Sequence, residues 1–489
     1  MDTHPNQPHS RRNFLKNVGM GALGASLLPH VAGKTAQQDK PNVLFIAIDD
    51  LNDWVGCYGG HPQAITPNID RLAAEGVLFE NAHCQAPICT PSRASLLSGL
   101  YPSTTGLYFL NPQHREAETL RDVPTLPEYF QQHGYKSYGV GKVFHTGDDP
   151  LAFDEYGGTL GGFGPLPDEK ISLPKGHRLW DWGAFPDDDA DKPDYKVAQW
   201  AKNKLAEEHD APFFLSVGFW RPHVPLYAPQ KWFDMHPREQ VALPEAALED
   251  LDDIPPYARE LAHGAAAPRH EYVCALGEWE HAVQAYLACT TFVDHYIGEV
   301  LEALRQSKYA DNTYVVFWSD HGFHLGEKLR WGKRSLWEES TRAPLIIAGP
   351  GITPGQRCTR PVGMIDLFPT LVELCGLTPR EELEGNSLQP LLDDPETPWE
   401  RPALTTFGPN NHSLRSERYR YTRYADGSEE LYDHHVDSRE QVNLARSEAH
   451  RPIMDAFQQW LPAVNRPPLP GSGGADSMIY GPTADYGYP

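Results

Sequence analysis

Basic residues are scarce in this chain. Lysine and arginine number 42 against 66 aspartates and glutamates, giving a formal net charge of -24 over 489 residues. Nucleic acid and anionic membranes are bound through excess positive charge, so neither is expected as a partner. An anionic ligand would have to be drawn by a local cluster of lysine, arginine, histidine and metal. Cysteine is sparse as well: seven residues, at 57, 84, 89, 274, 289, 358 and 375, with no Cys-x-x-Cys pair. That spacing argues against a zinc ribbon or a dithiol redox motif and leaves disulfide pairing open. No apolar run has the length of a permanent membrane span. No cysteine follows the N-terminal apolar segment before Cys57, so a stable membrane anchor is not expected. No internal repeat is visible.

What is present is an alternation of apolar strands and helices. Residues 42–48 (Asn-Val-Leu-Phe-Ile-Ala-Ile) read as a strand buried on both faces. Segments 137–143, 213–219, 313–318 and 345–348 read as further strands. Helices are expected over 67–74, 92–98, 124–132, 196–208, 281–306 and 365–374. Thr66-Pro67 and Thr90-Pro91 each suggest a threonine cap followed by a proline in the first turn, which would put Cys89 at a helix N-terminus. The alternation predicts an α/β fold, a large and mostly parallel sheet sandwiched by helices. Two stretches interrupt it: 151–194, rich in Gly, Pro and Asp, and 237–269, rich in Pro, Glu and Ala. Both are expected to be long surface excursions that shape a cleft.

The texture changes near Arg401. Alternating residues 419–424, a turn at 425–428 and the return from Glu430 predict a hairpin in a small C-terminal antiparallel subdomain. The expected boundaries are a main domain over 41–400, the subdomain over 401–466 and a loosely held Pro/Gly-rich tail over 467–489. Residues 1–33 carry Ser10-Arg11-Arg12-Asn13-Phe14-Leu15-Lys16, then a small-residue apolar run ending near Ala32. This resembles a twin-arginine (Tat) export signal and implies the Tat machinery as a partner and a periplasmic or secreted protein.

Four clusters fall where strands end, the place where open α/β sheets bind ligands. Asp49-Asp50 follows the first strand; two adjacent carboxylates there repel unless a cation lies between them. Asp320-His321 follows the 313–318 strand in the same manner, which makes a shared hard cation credible. Cys89-Thr90-Pro91-Ser92-Arg93 puts a cysteine and a cation where helix N–H groups favour an anion. A basic set completes the group: Lys142 and His145, Arg221 and His223, Arg330 and Lys333. Trp54, Tyr108, Tyr227, Trp331 and Trp337 are candidates for stacking on sugar rings, with burial as the ordinary alternative.

Cys89-x-Pro91-x-Arg93, with both acid pairs in order, resembles the type I sulfatases of the alkaline phosphatase superfamily. The likeness runs from about 41 to 444 and is nearest to iduronate-2-sulfatase-like sulfatases, on Gly139-Val140-Gly141-Lys142-Val143-Phe144-His145, Pro222-His223-Val224-Pro225 and Ser319-Asp320-His321-Gly322. The resemblance implies an alkaline phosphatase-like fold and hydrolysis of sulfate esters, on a sulfated carbohydrate. It implies that a formylglycine-generating or anaerobic sulfatase-maturating enzyme oxidises Cys89 to formylglycine. The hydrated aldehyde would attack sulfur with one hydroxyl and expel sulfate through the other. The implied metal is Ca²⁺ at Asp49, Asp50, Asp320 and His321, touching the modified Cys89. Many sulfatases carry Asn where this chain has His321, a departure shared with the iduronate-type group. The implied roles are Arg93 steadying the nucleophile and ion cluster, Lys142 and Lys333 on sulfate oxygens, His223, with Lys333, protonating the leaving alcohol, and His145 as the base. Two other readings are a formylglycine-dependent phosphonate monoester or phosphodiester hydrolase, which would use the same Cys89 and metal cluster, and a non-catalytic binder of sulfated glycans, whose signature would be loss of the nucleophile or an acid pair, whereas every position is present here.

Overall fold

The computed structural model describes residues 40–146, 149–263 and 267–472. The expected export signal at 1–33 and most of the expected tail lie outside the described residues.

The apolar strands assemble into one eight-stranded sheet. In chain order its strands are β1 (Asn42–Asp49), β2 (Val77–Phe79), β3 (Lys136–Gly141), β4 (Glu155–Tyr156), β5 (Phe213–Pro222), β6 (Thr313–Ser319), β7 (Leu345–Ala348) and β8 (Gln356–Cys358). Across the sheet they run β8-β2-β7-β6-β1-β5-β3-β4. Only β7 opposes the rest, pairing antiparallel with both β6 and β2. β1 is central, in parallel register with β5 (Val43↔Phe214) and with β6 (Ile48↔Ser319).

Every residue of β1 is buried because both faces of the sheet are covered. Leu44, Ile46 and Ile48 face one core with helices α1 (Pro67–Glu75), α4 (Pro193–Ala206) and α5 (Trp279–Gln306). Val43, Phe45 and Ala47 face the other with α2 (Cys89–Ser98), α3 (Leu126–Gln132) and α6 (Leu367–Leu374). The period-two alternation of strand side chains thus divides one apolar run between two layers.

A second, four-stranded antiparallel sheet follows: β9 (Ala403–Thr406), β10 (His412–Arg415), β11 (Tyr419–Arg423) and β12 (Glu429–Asp433), in sequential order. The hairpin expected at 419–432 is β11–β12, with Tyr419 opposite Asp433. Buried ion pairs weld this sheet to the main body: Glu338, in the short helix Glu338–Thr341, meets Arg415 of β10 and Arg420 of β11, and Arg420 also meets Glu440.

Three local expectations are corrected. Thr66 holds the cap position of α1 with Pro67 first, as expected, but neither threonine side chain caps a helix. Thr66 Oγ1 accepts from Gly56 N at 2.8 Å, and Thr90 Oγ1 donates to the Leu110 carbonyl at 3.1 Å. α2 begins two residues earlier, with Ile88 as its cap and Cys89 in its first turn. The 151–194 stretch is no mere surface excursion: Trp182–Ala184 pairs in parallel with Leu226–Ala228, and Trp182 stacks on Trp331 at 5.8 Å inside the core. The 237–269 stretch likewise contributes Ala258, Leu261 and Ala262 to a buried cluster with Tyr108, Phe109 and Trp337. At the start of the expected tail, Leu469 is buried and its N–H donates to the Gly106 carbonyl at 3.1 Å.

Candidate active site

The carboxyl ends of β1, β3, β5 and β6 meet the first turn of α2. β1 ends at Asp49, and Asp50 then turns the chain with φ 64°, the left-handed region that L-residues other than Asn and Asp rarely enter. Three hydrogen bonds brace that turn. Asp50 N donates to Asp320 Oδ1 at 3.1 Å, Leu51 N donates to Ser319 Oγ at 3.1 Å, and the Tyr286 hydroxyl donates to the Asp50 carbonyl at 2.7 Å. From α2, Ser92 Oγ donates to the Asp320 carbonyl. The two acid pairs are thereby locked to one another and to the helix that carries Cys89.

All ten candidate residues converge. Asp49, Asp50, Lys142, Asp320 and His321 are fully buried, and Cys89 and Arg93 nearly so. Arg93 Nε donates to Asp320 Oδ2 at 2.9 Å, while its other nitrogens reach the Val143 carbonyl at 3.1 Å, Ile48 at 3.2 Å and Asp49 at 3.5 Å. Lys142 pairs with Asp49, and Lys333 with Asp50. Cys89 Sγ lies 3.0 Å from Lys333 Nζ and 3.3 Å from His321 Nε2, and His145 neighbours it with a buried Nδ1 that has no hydrogen-bond partner. His223 Nε2 stands 3.7 Å from Asp50 Oδ2.

Charges packed so tightly set one another's protonation. Burial alone would raise the Asp49 carboxyl, but Lys142 holds it well below the usual carboxylate range. Burial prevails at Asp320, which rises to about 6 against the pull of Arg93. The Cys89 thiol is likewise opposed by burial, yet Lys142, Lys333 and His321 bring it well below an ordinary thiol. Burial lowers His145; it also pulls His321 down most strongly, but Asp320 and Cys89 together raise that imidazole.

A cation fits among these groups. Asp49, Cys89, Asp320 and His321 each offer a donor atom, all within 4.8 Å of one another. Asp50 Oδ2 is buried with no hydrogen-bond partner, the mark of an oxygen whose natural partner is not a protein donor. Carboxylate oxygens are hard donors suited to Ca²⁺ or Mg²⁺. A second group, Glu338, His434 and Glu440, has ligand-like spacing too, but Arg415 and Arg420 already neutralise it.

The sulfatase family profile matches residues 41–377, and the profile of the N-sulphoglucosamine sulphohydrolase C-terminal region matches 326–466. The chain belongs to the sulfatase family. It is 43% identical over 442 residues to a sulfatase of Formosa agariphila, covering 87% of each chain. It is 31% identical over 401 residues to human iduronate 2-sulfatase, covering 69% of this chain and 70% of that one. A solved 2-O GAG sulfatase superposes with a TM-score of 0.67 at 25% identity, covering 86% of this chain and 91% of that one. A phosphonate monoester hydrolase of Agrobacterium radiobacter shares the fold at a TM-score of 0.70 and 23% identity, covering 86% and 94%. This sulfatase is a sulfuric ester hydrolase with the alkaline phosphatase-like fold.

Other sequence candidates fall outside the cluster. Arg221 and Arg330 are buried and turned to backbone rather than to the acid pairs: Arg221 donates to the His223 and Phe163 carbonyls, and Arg330 donates to the Lys333 carbonyl. Each supports a site residue from behind. The five proposed sugar-stacking aromatics, Trp54, Tyr108, Tyr227, Trp331 and Trp337, are all buried and present no open ring face. Sequence reasoning missed Tyr286 and gave no role to Ser92 and Ser319, although both lie within the quoted motifs; all three fasten the acid turns. Only their partners in space assign those hydroxyls a task.

Proposed function

We propose that this sulfatase removes sulfate from a sulfated carbohydrate after Cys89 has been oxidised to formylglycine. Calcium would be held by Asp49, Asp50, Asp320 and His321. The observation that carries the reading is the surroundings of Cys89 Sγ, which stands where the oxygens of the modified residue would be. It sits in the first turn of α2, within hydrogen-bonding distance of Lys333 and His321, beside three buried carboxylates. As a hydrated aldehyde, that residue supplies two hydroxyls on one carbon, one to attack sulfur and one to expel sulfate. A bound calcium ion supplies Lewis-acid stabilisation of a sulfate oxygen.

The remaining work falls to the chain's own groups. Lys142 and Lys333 place ammonium groups where charge develops on sulfate oxygens. His145, beside the Cys89 side chain, is placed to take a proton from that residue once modified. His223, with Lys333, is placed to protonate the leaving alcohol. Arg93 points into the acid pairs and fixes them. Three carboxylates here face three cations, so a divalent ion leaves a local positive excess in an otherwise acidic protein. That excess attracts a sulfate ester against the global charge.

A carbohydrate substrate is supported by the likeness to human iduronate 2-sulfatase. The proposed organisation is a catalytic domain over 41–400 and a subdomain over 401–466. The twin-arginine sequence supports Tat export to the periplasm or beyond, and Cys89 requires a maturation enzyme as partner. The test produces the protein with and without that enzyme. Intact mass should fall by the difference between a thiol and an aldehyde, and desulfation of heparin, chondroitin or algal oligosaccharides should appear with it. Cys89→Ala should abolish turnover with unchanged melting, and calcium should restore activity lost to chelation. Near-normal sulfate release by C89A, or activity indifferent to thorough chelation, would refute the reading. Faster cleavage of aryl phosphonates than of aryl sulfates would favour the phosphonate hydrolase instead.

A further inference from the structure

We propose that Arg221 is a positioning residue for His223, acting by fastening the segment around Phe163 to the end of β5. The inference rests on the reading of His223 as the acid that protonates the leaving alcohol. Arg221 is wholly buried, yet its guanidinium makes no ion pair among the described residues. Nη1 donates to the His223 carbonyl, Nη2 donates to the Phe163 carbonyl at 2.8 Å, and Nε has no acceptor. Asp194 meets only the backbone here: its Oδ1 accepts from Trp220 N at 2.6 Å and Arg221 N at 3.3 Å. Burying an unpaired cation is unfavourable. Burial together with the neighbouring Arg221 charge brings Lys192 down to about 7. A guanidinium kept in this setting by two carbonyls has a geometric task, because its rigid fork holds both acceptors at fixed angles.

What the fork holds is a wall of the site. The Phe163 ring lies 4.5 Å from the His223 imidazole, tilted by 31°. It lies 4.9 Å from the Trp220 ring at 76°. The Lys142 ammonium sits 5.0 Å from the Phe163 ring and 5.5 Å from Trp220, within cation–π range of both. Phe163 belongs to the 151–194 stretch, about sixty residues before His223, and the Arg221 fork joins its backbone to that of His223. One buried side chain therefore sets the angle of the imidazole against Asp50 and the aromatic surface against Lys142. Lysine at this position would keep the charge but lose the planar fork.

The test uses the full-length matured protein and a series of substituted phenyl sulfates, from 4-nitrophenyl to unsubstituted phenyl. A misaimed general acid penalises poor leaving groups most. Arg221→Met should lose on the order of tenfold more kcat on phenyl sulfate than on 4-nitrophenyl sulfate, with a smaller change in KM. Arg221→Lys should fall between it and the wild type. Phe163→Ala should shift the series in the same direction by less. Equal losses across the series, in variants with native circular dichroism and melting, would overturn the proposal. If Arg221→Met does not fold, Phe163→Ala decides alone by the same criterion. His223→Ala separates the two readings. A steep leaving-group dependence there with a flat one in Arg221→Met removes only the positioning role. A flat dependence in His223→Ala removes the acid assignment, and this inference with it.

Discussion

Tyr286→Phe probes how the Asp50 turn is held. Tyr286 lies on α5, fully buried, and its hydroxyl serves two backbone groups at once. It donates to the Asp50 carbonyl at 2.7 Å and accepts from Asn52 N at 2.9 Å. Phenylalanine keeps the ring and its packing but leaves both backbone groups buried without those partners. Each such orphan costs roughly 1–3 kcal/mol, so the expected loss of stability is about 2–6 kcal/mol. Asp50 already sits at φ 64°, a conformation that resists being left unsupported. Relaxation of the turn should shift Asp50 relative to Lys333 and His223, lowering kcat by on the order of tenfold, since about 1.4 kcal/mol in the barrier is a factor of ten. The assay is urea unfolding with the slope held unchanged, paired with the desulfation rate. A loss below about 0.5 kcal/mol with normal turnover, as at an indifferent surface site, would refute the account of the turn.

Two further perturbations follow from the packing. Asp294 on α5 accepts from Asn68 N, Asn68 Nδ2 and Ile69 N at the start of α1, and burial raises its carboxyl to about 6. Its folded pKa thus exceeds the unfolded value of 3.8. The stability it lends is full below the unfolded value and is lost as pH rises through the folded one, by roughly 3 kcal/mol. Asp294→Asn should flatten that decline, which thermal midpoints taken from about pH 4 to about pH 7 will read; parallel curves for the two proteins would count against it. Gly218→Ala acts on the site through the backbone. A Cβ there would lie 2.2 Å from the Lys142 carbonyl group, so β3 and β5 must part and draw Lys142 away from Asp49. The variant should melt lower and lose activity together, and an unchanged protein by both measures would show that the strands tolerate the spacing.

Much of the fold and the grouping of the site could be read directly from local pattern. The buried strands β1, β5 and β6 are nearly continuous apolar runs because both their faces are covered. The acids and the cysteine fall where those runs stop. The main departures came where a residue's partner lies far along the chain. Thr66 and Thr90 look like caps from their neighbours, but their hydroxyls are used by Gly56 and Leu110 instead. Stretch 151–194 looks like a loop from its Gly, Pro and Asp content, yet pairing with 226–228 buries Trp182.

The sequence by itself determined the family, the α/β class and the set of chemistry-bearing residues, because periodicity and short motifs are local properties. Only the tertiary structure decided which basic residues face the nucleophile position and which stand behind it. Lys142 and Lys333 reach the acid pairs, while Arg221 and Arg330 turn away to hold backbone carbonyls. The four share one sign of charge. They differ in what the surrounding chain offers each to bond with, and that is settled only when distant segments meet.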